Sequence, residues 1–344
     1  MKPIYSTISV HSFLFWTAIV ITLSSCQSGD SHINQQSEMK TEQDSAAAQQ
    51  LAFLTTLSNT LSTPPRTPML HTPEEYNMAY EEVVIETADG VKLNAWFIPA
   101  NSKKIVICNH FSPANRAGFP GHQEPFTYAG GFEVNFLPKY RALHEAGYNV
   151  LAYDMRCHGQ SETGSEGVSG VGYFEWQDVL ASLAYVENRE ETADMEVSLQ
   201  SMCMGANATL LAMQKQPEAF KDVKSWIAIQ PLNGKTYLER VFARMGVDEA
   251  QGIAAFGEIY TDMTGLKVED HDMRGQMGGV KIPTLMVQVR NDMNSRASDI
   301  QEMYVKVEVK DKDIIWIEDT EWRFKGYQYF SDHPEEMVAW YDKH

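Results

Sequence analysis

The sequence predicts an α/β protein in which a mostly parallel sheet carries helices on both faces. Short apolar runs at residues 104–108, 149–153 and 225–229 are separated by longer segments with the apolar spacing of helices. Buried β-branched runs that alternate with helices are typical of parallel sheets, because the connection between parallel strands is usually a helix. Two strands at residues 82–87 and 91–98, joined by the turn ADG, add an antiparallel edge.

The other elements follow from the same periodicities. Further strands are expected at residues 195–200, 284–289 and 314–318. Helices are expected at residues 51–61, 137–146, 175–188, 204–213, 298–305 and 334–341. Residues 231–279 show no strand pattern, and we expect them to form a helical lid over the sheet.

The N-terminus has the features of a bacterial export signal. The apolar run FLFWTAIVITL at residues 13–23 is too short for a permanent membrane span. It leads into the motif LSSC, which resembles a lipobox, the site where a signal peptide is cleaved before a cysteine that receives lipid. We therefore expect a signal peptide at residues 1–25, a lipid on Cys26 and attachment to the bacterial cell envelope. Gln27 resembles outer-membrane sorting if the cell is Gram-negative. An ordinary signal peptide with a chance cysteine is the alternative.

Composition divides the rest of the chain. Residues 26–50 are rich in Ser, Gln, Asp, Glu and Ala, and such a segment cannot bury a core, so we expect a disordered tether. Residues 51–79 are predicted to form a short helix and a connector. Residues 80–344 are predicted to form one domain that includes the lid at about 231–279.

Charge and cysteine spacing exclude several classes of function. The 46 acidic and 28 basic residues give a net charge of −18, which repels phosphate backbones and argues against nucleic-acid binding. No CxxC or Cys/His spacing typical of metal sites occurs among the 4 cysteines, so no metal or cofactor is expected. A disulfide between Cys108 and Cys157 is left open.

Three segments resemble the α/β-hydrolase superfamily. They are an opening hairpin at residues 81–93 (EEVVIETADGVKL), a strand and loop at residues 147–161 (GYNVLAYDMRCHGQS), and a strand introduced by PTL at residues 283–285. The resemblance covers residues 80–344. It implies a mostly parallel, eight-stranded sheet with helices on both faces, a helical lid, and a small-molecule substrate.

The nucleophile elbow of this family reads G-x-S-x-G between a strand and a helix, and residues 201–205 (SMCMG) match its position. Cys203 then stands in the nucleophile's place, as a cysteine does in dienelactone hydrolases. Gly205, Ala206 and Ala208 are small, as the sharp turn requires. The alternative is a buried structural thiol at a helix start.

The resemblance also implies an acid and a base. Asp292 follows the seventh strand, where the family has its acid, although a solvated loop residue is the alternative. The histidine should follow the last strand, but residues 317–324 contain none and Trp322 stands at its place. His122 and His333 are the substitute bases that we consider.

Backbone N–H groups of Met204 and of Phe111 or Ser112 would form the oxyanion hole. A thiolate attacks without a base, so loss of the histidine is compatible with a cysteine nucleophile. We therefore expect a hydrolase or acyl-transfer enzyme that acts on activated esters, lactones or thioesters. The alternative is a catalytically degraded, ligand-binding lipoprotein.

Overall fold

The structure is a computed structural model that describes residues 30–344. The predicted signal peptide at residues 1–25 and the lipidation site Cys26 lie outside the described residues. The chain divides into two units, residues 1–51 and 52–344. None of the helices in the described part is both long and apolar enough to cross a membrane.

Residues 52–344 contain the eight-stranded sheet that the sequence predicts, together with a small separate hairpin. The strands are β1 (Glu81–Glu86), β2 (Lys92–Ile98), β3 (Lys104–Asn109), β4 (Gly118–Phe119), β5 (Val134–Asn135), β6 (Tyr148–Tyr153), β7 (Glu196–Met202), β8 (Trp226–Ile229), β9 (Thr284–Val289) and β10 (Lys312–Ile317). The order across the sheet is β1-β2-β6-β3-β7-β8-β9-β10, and β4 pairs with β5 alone. Only β2 runs antiparallel to its neighbours in the large sheet, so the predicted fold class is confirmed.

Helices cover both faces of this sheet. The α-helices of the described residues, which include those of the lid, are α1 (Asp30–Ser62), α2 (Leu137–Glu145), α3 (Trp176–Asn188), α4 (Met204–Lys215), α5 (Gly234–Arg244), α6 (Glu249–Thr264), α7 (Ala297–Lys306), α8 (Arg323–Asp332) and α9 (Pro334–Lys343). Strand β3 shows how one strand serves two cores. Ile105 and Ile107 pack with α3, α4 and α7, whereas Val106 and Cys108 pack with α2, α8 and α9. Cys108, Cys157 and Cys203 are free thiols, so the disulfide that was left open does not form.

Helix α1 differs from the sequence expectation. Residues 30–50, expected as a disordered tether, are helical and continue into the predicted helix at 51–61. The polar composition of this stretch prevents burial of a core but not helix formation. Ala, Glu, Gln, Lys and Met are strong helix formers, and no Gly or Pro occurs between residues 30 and 62.

The end of α1 belongs to the second unit and packs on the lid. The lid contains α5 and α6, and its core includes Leu238, Phe242 and Phe256. Leu54 is buried in the same cluster, and Leu61 packs against it. The last two turns of α1 are therefore part of the folded domain and not a linker.

Helix α8 was missed from the sequence, which predicted a loop up to the final helix at residue 334. Aromatic side chains and a glycine in its interior hide the helical pattern. Gly326 lies directly against the side chain of Gln230. A Cβ at position 326 would collide with the side-chain nitrogen of Gln230, so only glycine fits here without a shift. Packing of α8 against the core stabilises the helix despite its weak sequence signal. Residues of α8 contribute to the site described next.

Candidate active site

Cys203 lies between β7 and α4 in the strained conformation of a nucleophile elbow. Its φ and ψ are 46° and −108°, outside the regions that most residues adopt. Its backbone N–H donates to the carbonyl of Ile229 at 2.9 Å, which fixes the turn against β8. Gly205 is required here, because a Cβ would come within 2.7 Å of the carbonyl oxygens of Asn109 and His110.

Ser201 stands where the family motif has its first glycine. Its side chain is buried and is held by two neighbours. The Ser201 hydroxyl lies 2.8 Å from the hydroxyl of Thr209, and it accepts a hydrogen bond of 2.9 Å from the side chain of Asn109. The elbow therefore accommodates a serine at this position because a polar partner exists on β3 and another on α4.

A cavity of about 320 Å³ opens above the elbow. Cys203 and Asp292, which the sequence placed in the site, both line it, as does Ser112. Most of the remaining wall is apolar and comes from the lid, from α8 and from the end of α1. These residues include Leu61, Val171, Leu232, Tyr237, Leu238, Phe256, Tyr260, Val268, Trp322, Phe324 and Tyr327.

Asp292 is buried in the loop after β9 and accepts four hydrogen bonds. One carboxylate oxygen accepts from the hydroxyl of Ser295 at 2.8 Å, from the side chain of Gln288 at 3.3 Å, and from a guanidinium nitrogen of Arg323. The other oxygen accepts from the backbone N–H of Asn294 at 2.9 Å. The carboxylate is thus held rigidly and paired with a buried cation.

Arg323, at the start of α8, lies in the segment after β10 where the resemblance implies a histidine. Its guanidinium donates to Asp292, to the carbonyl of Gln230, and, from Nε, to the hydroxyl of Tyr327 at 2.7 Å. The sequence analysis gave the position of the histidine to Trp322, the residue directly before Arg323. The Trp322 side chain is 43% exposed and only contributes to the cavity wall.

Tyr327 shares α8 with Arg323 and also lines the cavity. It lies four residues after Arg323, one turn along α8, so both side chains point to the same side of the helix. Tyr327 and Cys203 both line the cavity. Burial raises the pKa of Tyr327 well above its ordinary value, the thiol adds to the effect, and Arg323 opposes it. The hydroxyl therefore stays protonated near neutral pH.

The two histidines considered as bases lie elsewhere. His122 is exposed in the loop after β4, with Nδ1 3.8 Å from a carboxylate oxygen of Glu133. His333 is exposed between α8 and α9, where its ring packs on Tyr329 at 4.6 Å. Neither is among the described residues that line the cavity, so the structure does not support either as a base for Cys203.

One group of possible metal ligands occurs in the described part of the chain. It consists of His333, Glu335 and Glu336, whose ligand atoms lie within 4.8 Å of one another. This group stands at the start of α9, and none of its members lines the cavity. The candidate site is therefore built without it.

The residues predicted for the oxyanion hole follow the ends of the neighbouring parallel strands β3 and β7. Met204 is the first residue of α4, and Phe111 follows the end of β3. Within the described residues, neither backbone N–H group donates to another protein group. The Phe111 ring stacks on Tyr327 with centroids 3.9 Å apart, which ties the oxyanion loop to α8.

Two buried histidines support the oxyanion loop. Nε2 of His110 accepts from the backbone N–H of Met155 at 2.9 Å, and burial lowers the pKa of His110 to about 3. Nε2 of His158 lies 2.9 Å from the hydroxyl of Ser112, and Nδ1 donates to the carbonyl of Arg156 at 2.8 Å. Both rings are neutral and structural.

The connector after α1 also fixes this loop. Asn115 donates to the carbonyls of Thr67 and Pro68 at 3.1 and 3.0 Å, and the Thr67 hydroxyl donates to the carbonyl of Pro113 at 3.2 Å. Arg66 donates to three carbonyls of the loop after β6. Residues 66–68 are therefore structural parts of the site, which the sequence did not indicate.

Comparisons with known proteins bear on the fold. No protein-family model matches the sequence, and no curated protein matches it. Among solved structures, an esterase of Pyrococcus furiosus superposes with a TM-score of 0.61 at 21% identity, over 82% of this chain and 96% of that one. The α/β hydrolase GrgF of a Penicillium species gives 0.51 at 15% identity, over 78% of this chain and 99% of that one. The chain has the α/β-hydrolase fold.

Proposed function

We propose that this protein is a hydrolase or acyl-transfer enzyme that uses Cys203 as its nucleophile and acts on an activated ester, lactone or thioester. The observation that carries the proposal is the position of the thiol. It stands at a strained strand-to-helix turn, on the wall of a cavity that Tyr327 also lines. Strain of this kind is retained where surrounding structure holds a functional group in place.

The reaction begins when the Cys203 thiolate attacks the carbonyl carbon of the substrate. The attacking form of a cysteine is the thiolate, which needs no base to remove its proton during attack. The negative charge that develops on the carbonyl oxygen is stabilised by the backbone N–H groups of Met204 and Phe111 or Ser112. Collapse of this intermediate breaks the bond to the leaving group and leaves an acyl-thioester on Cys203.

Tyr327 supplies the proton chemistry that the missing histidine would provide. Its hydroxyl gives a proton to the departing oxygen, and the tyrosinate formed is stabilised by the Nε–H of Arg323. Water then attacks the acyl-thioester and returns a proton to the tyrosinate, which releases the acid and restores the thiolate. Burial disfavours the tyrosinate, so substrates whose leaving groups need little protonation are preferred.

A second function is favoured by the identity of residue 323. Arginine does not lose its proton in proteins, so it cannot act as the base that the family places there. A hydrolase fold that has exchanged this residue and kept its cavity would be a ligand-binding lipoprotein. The two functions differ in whether the thiol forms a covalent acyl intermediate.

An electrophilic ester probe separates the two functions. We expect 4-nitrophenyl acetate to release nitrophenol and to leave an acetyl group on Cys203, located by mass spectrometry of the digested protein. Cys203→Ala should lose both signals, whereas Cys157→Ala, which changes a thiol that does not line the cavity, should retain them. An unmodified Cys203 in a folded protein without turnover would favour the binding protein.

We further propose that the protein is anchored to the bacterial envelope by a lipid on Cys26. The support is the run of apolar residues at 13–23 and the motif LSSC that follows it. Mass spectrometry of the N-terminal peptide should show a diacylglyceryl group on Cys26, and Cys26→Ala should release the protein from membranes. A mature N-terminus at another residue would contradict this proposal.

A further inference from the structure

The cavity has two chemically different ends. One end holds Cys203 and the groups of α8 that contact it. The other extends under the lid, where the wall is formed by apolar residues of the lid core and by the end of α1. These are Leu61, Leu238, Phe256 and Val268. A substrate that occupies the whole cavity must therefore carry an apolar portion next to its reacting carbonyl.

A histidine that the sequence did not single out lies on the lid part of this wall. His271 follows α6, lines the cavity, and is 7% exposed. Its Nε2 pairs with the hydroxyl of Tyr260 at 3.1 Å. Its Nδ1 has no hydrogen-bond partner among the described residues, and it is not sealed within the protein core. Either tautomer of the ring leaves Nδ1 able to donate or to accept one hydrogen bond, so this atom is available to a bound ligand.

The surroundings of His271 determine which ligand group it can bind. The backbone of Gly234 packs closely on His271, since a Cβ at Gly234 would come within 2.6 Å of the Cβ of His271. Burial lowers the pKa of His271, so the ring is neutral at neutral pH. Glu175 lies near enough to act on the ring electrostatically and is itself fully buried. Asp270 also acts on the ring electrostatically, so a ligand carboxylate at His271 would be repelled by two acidic side chains.

We propose that His271 and Tyr260 form a subsite for a hydroxyl group at the far end of an otherwise apolar acyl substrate. This proposal rests on the proposed function for the identity of the reacting end. A hydroxyl both donates and accepts, so it can pair with Nδ1 in either tautomer of the ring, whereas a methyl group leaves Nδ1 unpaired. The cavity volume of about 320 Å³ corresponds to about ten non-hydrogen atoms at roughly 30 Å³ each.

The test measures binding in a protein that cannot turn over. Calorimetry on Cys203→Ala compares 8-hydroxyoctanamide with octanamide, two probes that differ only in the terminal hydroxyl. We expect the hydroxylated probe to bind about fivefold more tightly, the factor that one net hydrogen bond provides. Adding His271→Leu should abolish this preference and leave the affinity for octanamide within about twofold. His144→Leu, outside the cavity, is the control and should retain the preference.

Tyr260→Phe provides a second route if the leucine variant does not fold. It removes the hydroxyl that pairs with Nε2 and keeps the ring, and it should reduce the preference for the hydroxylated probe. Equal affinities in the parent protein, a preference that survives both changes, or failure of both probes to bind would each overturn the subsite. These outcomes do not depend on turnover, so an inactive thiol would remove the proposed function and leave the binding comparison intact.

Discussion

Lys139 offers a direct test of the electrostatics in the core behind the elbow. Its side chain is completely buried on α2, with the amine 3.9 Å from the centroid of the Phe136 ring and 3.6 Å from the sulfur of Met202. No carboxylate pairs with it among the described residues. Burial lowers the pKa of Lys139 from 10.5 to about 7, an effect that the nearby Cys108 slightly opposes.

The consequence for stability follows from proton binding. Between pH 7 and 10.5 the unfolded chain holds a proton on this amine that the folded chain has lost, so protonation favours unfolding as the pH falls. The penalty is complete below pH 7. The two pKa values differ by about 3.5 pH units, which at 1.36 kcal/mol per unit amounts to roughly 5 kcal/mol, an upper bound.

Lys139→Met removes this penalty and keeps an unbranched side chain that is one atom shorter. We expect the variant to be more stable than the wild type by several kcal/mol at pH 6, and the difference to shrink toward zero by pH 10.5. Urea unfolding at several pH values measures it. Taking the difference between the two proteins cancels other titrating groups, and Lys221→Met on the exposed surface is the control. A difference that does not change with pH would refute the reasoning.

Two further predictions concern α8. Tyr327→Phe removes the proposed proton donor, so we expect kcat/KM to fall about a hundredfold for an ethyl ester and much less for a 4-nitrophenyl ester, whose leaving group needs no proton. A loss that is equal for both esters would contradict a role in proton transfer. Gly326→Ala places a Cβ within 1.8 Å of the Gln230 side chain and should destabilise the protein by about 1–3 kcal/mol in urea unfolding. Gly278→Ala, at an open position, should be nearly neutral, and similar effects at both positions would show that α8 can move away.

The fold and the nucleophile elbow could be predicted because their signals are local. The strands are continuous runs of β-branched residues, and the elbow is a five-residue motif between a strand and a helix. The glycine at position 205 indicates in the sequence that another stretch of backbone passes close to it. The structure shows that this backbone carries the carbonyls of Asn109 and His110. Asp292 could be named because the family resemblance implies an acid after the seventh strand, and the structure has Asp292 on the cavity wall.

The partners of these residues could not be predicted, because they depend on elements whose sequence signal is weak. Arg323 and Tyr327 share a helix face only if α8 exists, and aromatic residues with an internal glycine disguise that helix. His271 reaches the cavity only because the lid folds over it, and nothing in its neighbouring sequence indicates this. Single-sequence patterns thus locate the residues on the sheet better than those on the lid and the last helix.

The chemistry of the site depends on four side chains together, those of Asp292, Arg323, Tyr327 and Cys203. Asp292 pairs with Arg323, the Nε–H of Arg323 donates to the hydroxyl of Tyr327, and Tyr327 and Cys203 both line the cavity. An arginine cannot accept a proton, so in the proposed mechanism Tyr327 exchanges the proton with the substrate. A serine at position 203 would have no base to ionise it, whereas a thiolate forms without one. In the proposed mechanism, a cysteine at the elbow is therefore compatible with an arginine in the segment where the resemblance implies a histidine.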